Sequence, residues 1–429
     1  MTLYLMLSIA STLCSHDIME RLMGTIVHGF GLATPENDWE FLFGKDLPAW
    51  LTIQDEQILK GYYQGDTTFY HREVFLAWLS PILWWTFFIF VLSFVMICVS
   101  VLVRKQWTER ERLTYPIIQL PLEMTDNRFR FFKYRVMWFG FAIAGGISLI
   151  NGLHHFWPTV PSLPITRRWF SFPDKPLSFI GSIIIAFYPF AIGLGFLMPL
   201  ELLFSTIVFY GLYRGQITLG SMMGWHTLPE FPYRNEQSFG GFLGIVIYLV
   251  LVGRGHLVRI FNNLFSRESS KEEPLPYRVA VLGAVIGLFL LAFFFIQIGM
   301  TAKIAVIFLA IYLIVAVVIT RMRAEAGIFV HNFHYTSPVF ALIKSLGTRR
   351  LGKGNLIAFA LLRPFNHGFR AHLMPHQLEG YQIASKTRSS SRGMVGAILW
   401  ATLLGAVATF FIQLHLYYKH GAASGYFHT

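Results

Sequence analysis

The sequence predicts an all-α integral membrane protein: a polytopic helix bundle of about nine spans, the first one partial, with broken or re-entrant helices among them. Three observations predict it. Of 429 residues, 54% are hydrophobic and 14% charged, against roughly 25% charged in an ordinary soluble domain. The apolar residues gather in long runs, and a run of about 20 residues crosses a hydrocarbon core. The basic residues fall into alternate loops, as the charge rule for membrane orientation requires.

Taken in order, Leu3–Cys14 is apolar but only twelve residues long. As a helix it would reach about 18 Å, short of a core of roughly 30 Å, so it reads as the end of a span whose beginning is missing. Val74–Val103 and Val136–Leu153 read as spans. The run Leu177–Tyr213 is long enough for two, and its GLGFLMPLE centre carries the glycines and proline of a turn. The split is therefore expected near Gly195–Pro199. Phe239–Val252, extended through Gly253–Val258, follows, and then Val279–Ile298, Ile304–Thr320 and Met394–Leu414.

Charge sets the expected orientation. Arg104–Arg135 holds eight Lys or Arg and is set inside; residues 15–73 hold ten Asp or Glu against Arg21, Lys45, Lys60 and Arg72 and are set outside. Alternation then puts the N-terminus in the cytoplasm, the C-terminus outside, and 321–393 on the cytoplasmic side as one polar segment of a single transmembrane domain, 1–429. The expected location is the plasma membrane. The net charge of +12 needs no nucleic acid, because basic loops facing an anionic leaflet account for it.

Residues 15–73 are acidic and aromatic. Trp39, Trp50, Tyr62 and Tyr63 suit an interfacial cap, or a lid over an outward cavity. In WTERERLTYPIIQLPLEM, Thr108 and Glu111 stand at capping-box spacing, with Tyr115-Pro116 and Leu120-Pro121 breaking the helix behind them. An amphipathic helix on the inner leaflet is expected there, and a gating element is the alternative. Cys14 and Cys98 both lie in apolar runs and imply no disulfide framework.

Polar groups at membrane depth are costly and are functional candidates. Glu201 follows the Pro199 break directly. Arg323, Glu325, His331 and Asn332 follow a span with no polar linker, and Gly327 breaks the helix between them. Broken helices expose backbone groups that bind ions and charged solutes. These five residues form the leading candidate set. Arg363, His367, Arg370, His372 and His376 form the second, preceded by NLIAFALL, which is too short to span and fits a re-entrant or packed helix. His372 and His376 share a helix face if the helix survives Pro375. With no acid in the H-E-x-x-H position, no metal is expected there. No cofactor is expected either, since the chain has neither a Walker loop nor a G-x-S-x-G elbow.

RMRAEAG, RAHLMPHQLEGYQIA, WTERERLTYPIIQLPLEM and ATPENDWEFLF together resemble a family of polytopic bacterial and archaeal membrane proteins. That family carries only a domain-of-unknown-function label, and its members are sometimes named peptide transporters. A weaker likeness, at Ala324–Pro338, is to the oligopeptide transporter superfamily, whose NPGPFN-like segment is absent here. Relatives of this kind are longer at both ends, which implies truncation at one or both ends. The resulting expectation is a secondary transporter of a small organic, peptide-like solute working by alternating access. Arg323 and Glu325 would hold the solute and Glu201 would couple protons. The alternative is an intramembrane enzyme acting on a lipid-linked substrate, its anionic head group met by Arg363, His367, Arg370, His372 and His376. A non-transporting scaffold is a third reading. The partners are the lipid bilayer and a small solute, and a homo-oligomer is allowed for.

Overall fold

The computed structural model describes residues 1–125, 130–263, 273–328, 336–367 and 371–424. In chain order the helices are α1 (Thr2–Leu13), α2 (Arg21–Gly31), α3 (Trp39–Leu42), α4 (Glu56–Gln64), α5 (Arg72–Lys105), α6 (Pro116–Met124), α7 (Arg130–Lys133), α8 (Arg135–Phe156), α9 (Pro189–Phe196), α10 (Leu200–Met222), α11 (Arg234–Asn263), α12 (Tyr277–Gln297), α13 (Ala302–Ala326), α14 (Pro338–Leu346), α15 (Thr348–Leu361), α16 (Arg363–Asn366), α17 (Leu373–Lys386) and α18 (Ser391–His420). One antiparallel hairpin, β1 (Arg168–Phe170) on β2 (Ile183–Ile185), is the only sheet among the described residues. The protein is an all-α bundle, and among the described residues six helices are long and apolar enough to cross a membrane: α5, α8, α11, α12, α13 and α18.

The chain forms two compact units. The first comprises Leu113–Gln237 and Met322–Phe329. Here the run Leu177–Tyr213 departs from the two expected helical spans. Its first part forms a 3-10 turn at Leu177–Ile180 and then strand β2; helix begins only at Pro189 and stops at Phe196. The physical reason is local. Three successive isoleucines favour a strand, and proline, lacking an N–H, is accommodated at the first turn of a helix rather than inside one. Arg214 of α10 holds this segment by donating from Nη1 to the Ile180 carbonyl at 2.8 Å and from Nη2 to that of Ser182 at 3.1 Å. α10 itself is an uninterrupted 23 residues.

The second unit comprises Thr2–Arg112, Ser238–Arg321 and Val330–Thr429. Its core is α5, packed against α12, α17 and α18, with α1 seated on α18 and α17. Small residues allow the close approaches, as membrane helix contacts favour. A methyl group on Gly287 of α12 would lie 2.4 Å from Val95 Cγ2 of α5, and one on Gly405 of α18 would lie 3.1 Å from the Ala10 backbone of α1. Trp85, Phe88, Phe294 and Phe365 stack into one aromatic cluster.

The expected cytoplasmic segment 321–393 needs correction. Arg321 lies at the far end of α13, paired with Glu111. Asn355 lies at its start, where Asn355 Oδ1 accepts from the Thr301 N–H at 2.9 Å. Those two ends are about 30 Å apart at 1.5 Å per residue, so the chain returns along the whole length of α13 between them. Gly354 meets Gly299 so closely that a Cβ on Gly354 would stand 2.6 Å from the Gly299 carbonyl oxygen. α15 is broken at Gly352 (φ 74°), so NLIAFALL forms a short helix packed into the bundle. α17 then runs back between α1, α5 and α18. What reads as one polar loop therefore contains helices packed in the bundle.

The capping-box helix is also absent. α5 runs on through a π-turn at Gln106–Arg110, Pro116 starts α6 rather than ending a helix, and Pro121 lies inside it.

Candidate functional site

The polar side chains of the second unit converge on a cavity of about 390 Å³. Its walls come from α2 (Arg21, His28), α4 (Tyr62, Tyr63), α16 and the residue after it (Arg363, His367) and α18 (Tyr417), with Glu20 at the edge. Each element has a local cause. α4 is started by Asp55, whose carboxylate accepts from the N–H groups of Gln57 at 2.9 Å and Ile58 at 3.0 Å, a standard N-cap. Tyr62 and Tyr63 fall in the last turn of this helix. α16 carries Pro364 at its first turn. Phe365 is buried against Trp85 and Phe88, which anchors the turn and leaves the neighbouring Arg363 exposed at the cavity.

The charges are arranged for an anion. Arg21 Nη1 donates to His367 Nδ1 at 2.7 Å. Asp17 sits 3.4 Å from Arg21 on the preceding helical turn. Among the described residues no acidic side chain pairs with Arg363. Burial pushes the Tyr63 phenol well above its usual value, which keeps it a hydrogen-bond donor. The Arg363 guanidinium, beside an imidazole and two tyrosines, can grip a carboxylate or phosphate by parallel hydrogen bonds.

Beneath this cavity lies a small enclosed one of about 20 Å³, lined by Asp17, Tyr312, His367 and His372 among others. It has room for about one water molecule. Polar contacts continue along α17. Pro375 falls in the first turn of that helix, so the helix survives it. His372, its N-cap, lies with its ring against Tyr312. His376 Nδ1 lies 2.8 Å from Ser8 Oγ of α1. Gln377 is fully buried, donating to Ser93 Oγ at 2.9 Å, and Ser93 meets Thr402 at 3.2 Å.

The opposite end of α5 is closed by charge pairs. Arg104 donates to Glu273 at 3.0 Å with both side chains buried, and Tyr277 donates to the same carboxylate at 3.0 Å. Arg321 pairs with Glu111, which also accepts from Gln106 at 3.0 Å, and the Arg321 guanidinium lies over Trp107.

The expected site residues thus separate. Arg363 and His367 line the cavity, and His372 and His376 continue it inward. Glu201 lies exposed in the first turn of α10, in the other unit. Arg323 is buried and Glu325 half-buried in the last turn of α13. That turn ends at Gly327 (φ 65°), as the sequence predicts, and its Ala324 and Glu325 carbonyls accept from Tyr115 N–H at 2.9 Å and Thr114 Oγ1 at 2.8 Å. His331, Asn332 and Arg370 lie outside the described residues. Among the described residues no group of three His, Cys, Asp or Glu is placed to hold a metal ion.

Sequence reasoning passed over Arg21, Tyr417 and Gln377 as site residues and read Tyr62 and Tyr63 only as part of an interfacial cap or lid. The available signals were the Asp17/Arg21 spacing of one helical turn and the tyrosine doublets at 62–63 and 417–418.

The family model that matches the chain is described as a family of unknown function (DUF6785), and it matches residues 1–429. The chain belongs to this family. Neither the curated proteins nor the solved structures contain a match. The family description names no activity, so a functional reading of this DUF6785 member rests on its own geometry.

Proposed function

We propose that this protein is a secondary transporter of a small organic solute bearing an anionic group, peptide-like compounds included, and that it works by alternating access. One observation carries the reading: the cavity lined by Arg21, Arg363 and His367 adjoins a buried polar column in the bundle, while paired charges lie at the opposite end of α5. Arg363 would hold the solute's anionic group, with the His367 ring and the tyrosine hydroxyls as further partners. The Arg104–Glu273 and Arg321–Glu111 pairs would part when the bundle opens at their end. Transporters place solute sites where helices are interrupted, and this cavity adjoins α16 just after the break at Gly352.

The test is uptake by proteoliposomes of two labelled probes, dialanine and glutarate, by wild type, Arg363→Gln and His367→Gln. Losing a charge-assisted contact predicts uptake reduced roughly tenfold or more for Arg363→Gln. Arg323→Gln and Glu201→Gln are expected to change it far less. Equal uptake by wild type and Arg363→Gln, or no uptake of either probe above empty vesicles, overturns the reading.

A further inference from the structure

A second, larger hollow adjoins the cavity. It is a groove of about 830 Å³ between α2, α3 and α15, walled mainly by apolar side chains that include Leu42, Phe43, Leu356 and Ala360. It shares Thr25, His28 and Arg363 with the polar cavity, so the two volumes meet at one guanidinium. Two further cations, Arg349 and Lys353, border the groove. Lys353 is paired with Asp46 at 2.5 Å, and no acidic partner of Arg349 occurs among the described residues. An apolar protein helix laid in the groove would leave Arg349 and Arg363 without an acidic partner. A molecule with an anionic head and a hydrocarbon chain would satisfy both parts.

We infer that the groove and cavity together bind a phosphate-bearing lipid, its head group at Arg363 and its chain along α15. This rests on the reading of the cavity as an anion site and narrows the solute to an amphiphile with lateral access from the bilayer. Arginine meets phosphate by two parallel hydrogen bonds, and basic pockets between membrane helices bind anionic head groups. Trp39 at the groove suits the head-group level, where Trp is enriched.

The experiment is a binding titration on the full-length protein in neutral detergent, followed by native mass spectrometry, with three probes: oleoyl glycerol phosphate, glycerol 3-phosphate and mono-oleoylglycerol. Because chain burial and head-group pairing act together, oleoyl glycerol phosphate is expected to bind at least roughly tenfold tighter than either of the others. Arg363→Gln should remove that advantage through the head. Ala360→Trp, at an exposed position that fills the groove, should remove it through the chain and leave glycerol 3-phosphate unaffected. Leu356→Gln serves as a second groove variant should Ala360→Trp fail to fold. Equal binding of glycerol 3-phosphate overturns the lipid assignment and leaves the anion site standing. Equal binding of mono-oleoylglycerol, or no binding of oleoyl glycerol phosphate, overturns the inference. Dialanine uptake abolished by Arg363→Gln without any lipid preference would separate its failure from that of the transport reading.

Discussion

Glu273→Gln is the sharpest probe of how the far end of the bundle is held. The Arg104 and Glu273 side chains are only 5% and 4% exposed, with N···O at 3.0 Å. At an effective dielectric constant near 20, a pair at that distance attracts by about 5 kcal/mol. Much of this is offset by desolvating both ions, so the intact pair contributes little net stability. Removing only the carboxylate charge is different. Arg104 stays buried, and its remaining acid, Glu109, is 3.9 Å away and 47% exposed. The expected cost is about 3–5 kcal/mol. Removing the whole group should cost far less: Arg104→Met with Glu273→Leu, and Tyr277→Phe so that no hydroxyl loses its acceptor, should lie within about 1 kcal/mol of wild type. The assay is reversible SDS titration in mixed micelles, followed by fluorescence of the protein's 11 tryptophans. A Glu273→Gln cost below about 1 kcal/mol, the range of a solvated surface pair, would refute the reasoning. So would a triple variant as unstable as the single one.

Three further outcomes follow from the same bundle. Gly354→Ala places a methyl carbon 2.6 Å from the Gly299 carbonyl oxygen; backbone must shift, and the same titration should show a loss of about 1–3 kcal/mol. Asn355→Leu removes the acceptor of the Thr301 N–H that starts α13, with an expected loss of about 1 kcal/mol and faster amide exchange in the first turn of that helix. Gln377→Leu deletes the donor that binds Ser93 Oγ and the Ser93 carbonyl; Ser93 keeps Thr402 Oγ1 at 3.2 Å, and the loss of the two bonds should cost about 1–3 kcal/mol in the same titration.

The sequence by itself determined the class and most of the spans. Long apolar runs such as Val74–Val103 and Val279–Ile298 can satisfy their backbone in a bilayer only as helices, and the structure forms α5 and α12 there. Gly327 likewise ended α13 where expected, because a positive φ is cheap for glycine. Local pattern could not say which polar residues meet. Counting charges along 321–393 reads it as one segment, yet α17 inside it is polar enough to read as a loop and buried enough to act as core. The Nε2 group of its Gln377 donates to Ser93, 284 residues earlier, and the partners of His367 include Arg21, 346 residues earlier. A buried polar group is tolerated when a partner reaches it, and such partners are set by packing between distant helices. Only the tertiary structure could therefore bring Arg363 and His367 to one cavity and leave Glu201 exposed on another helix.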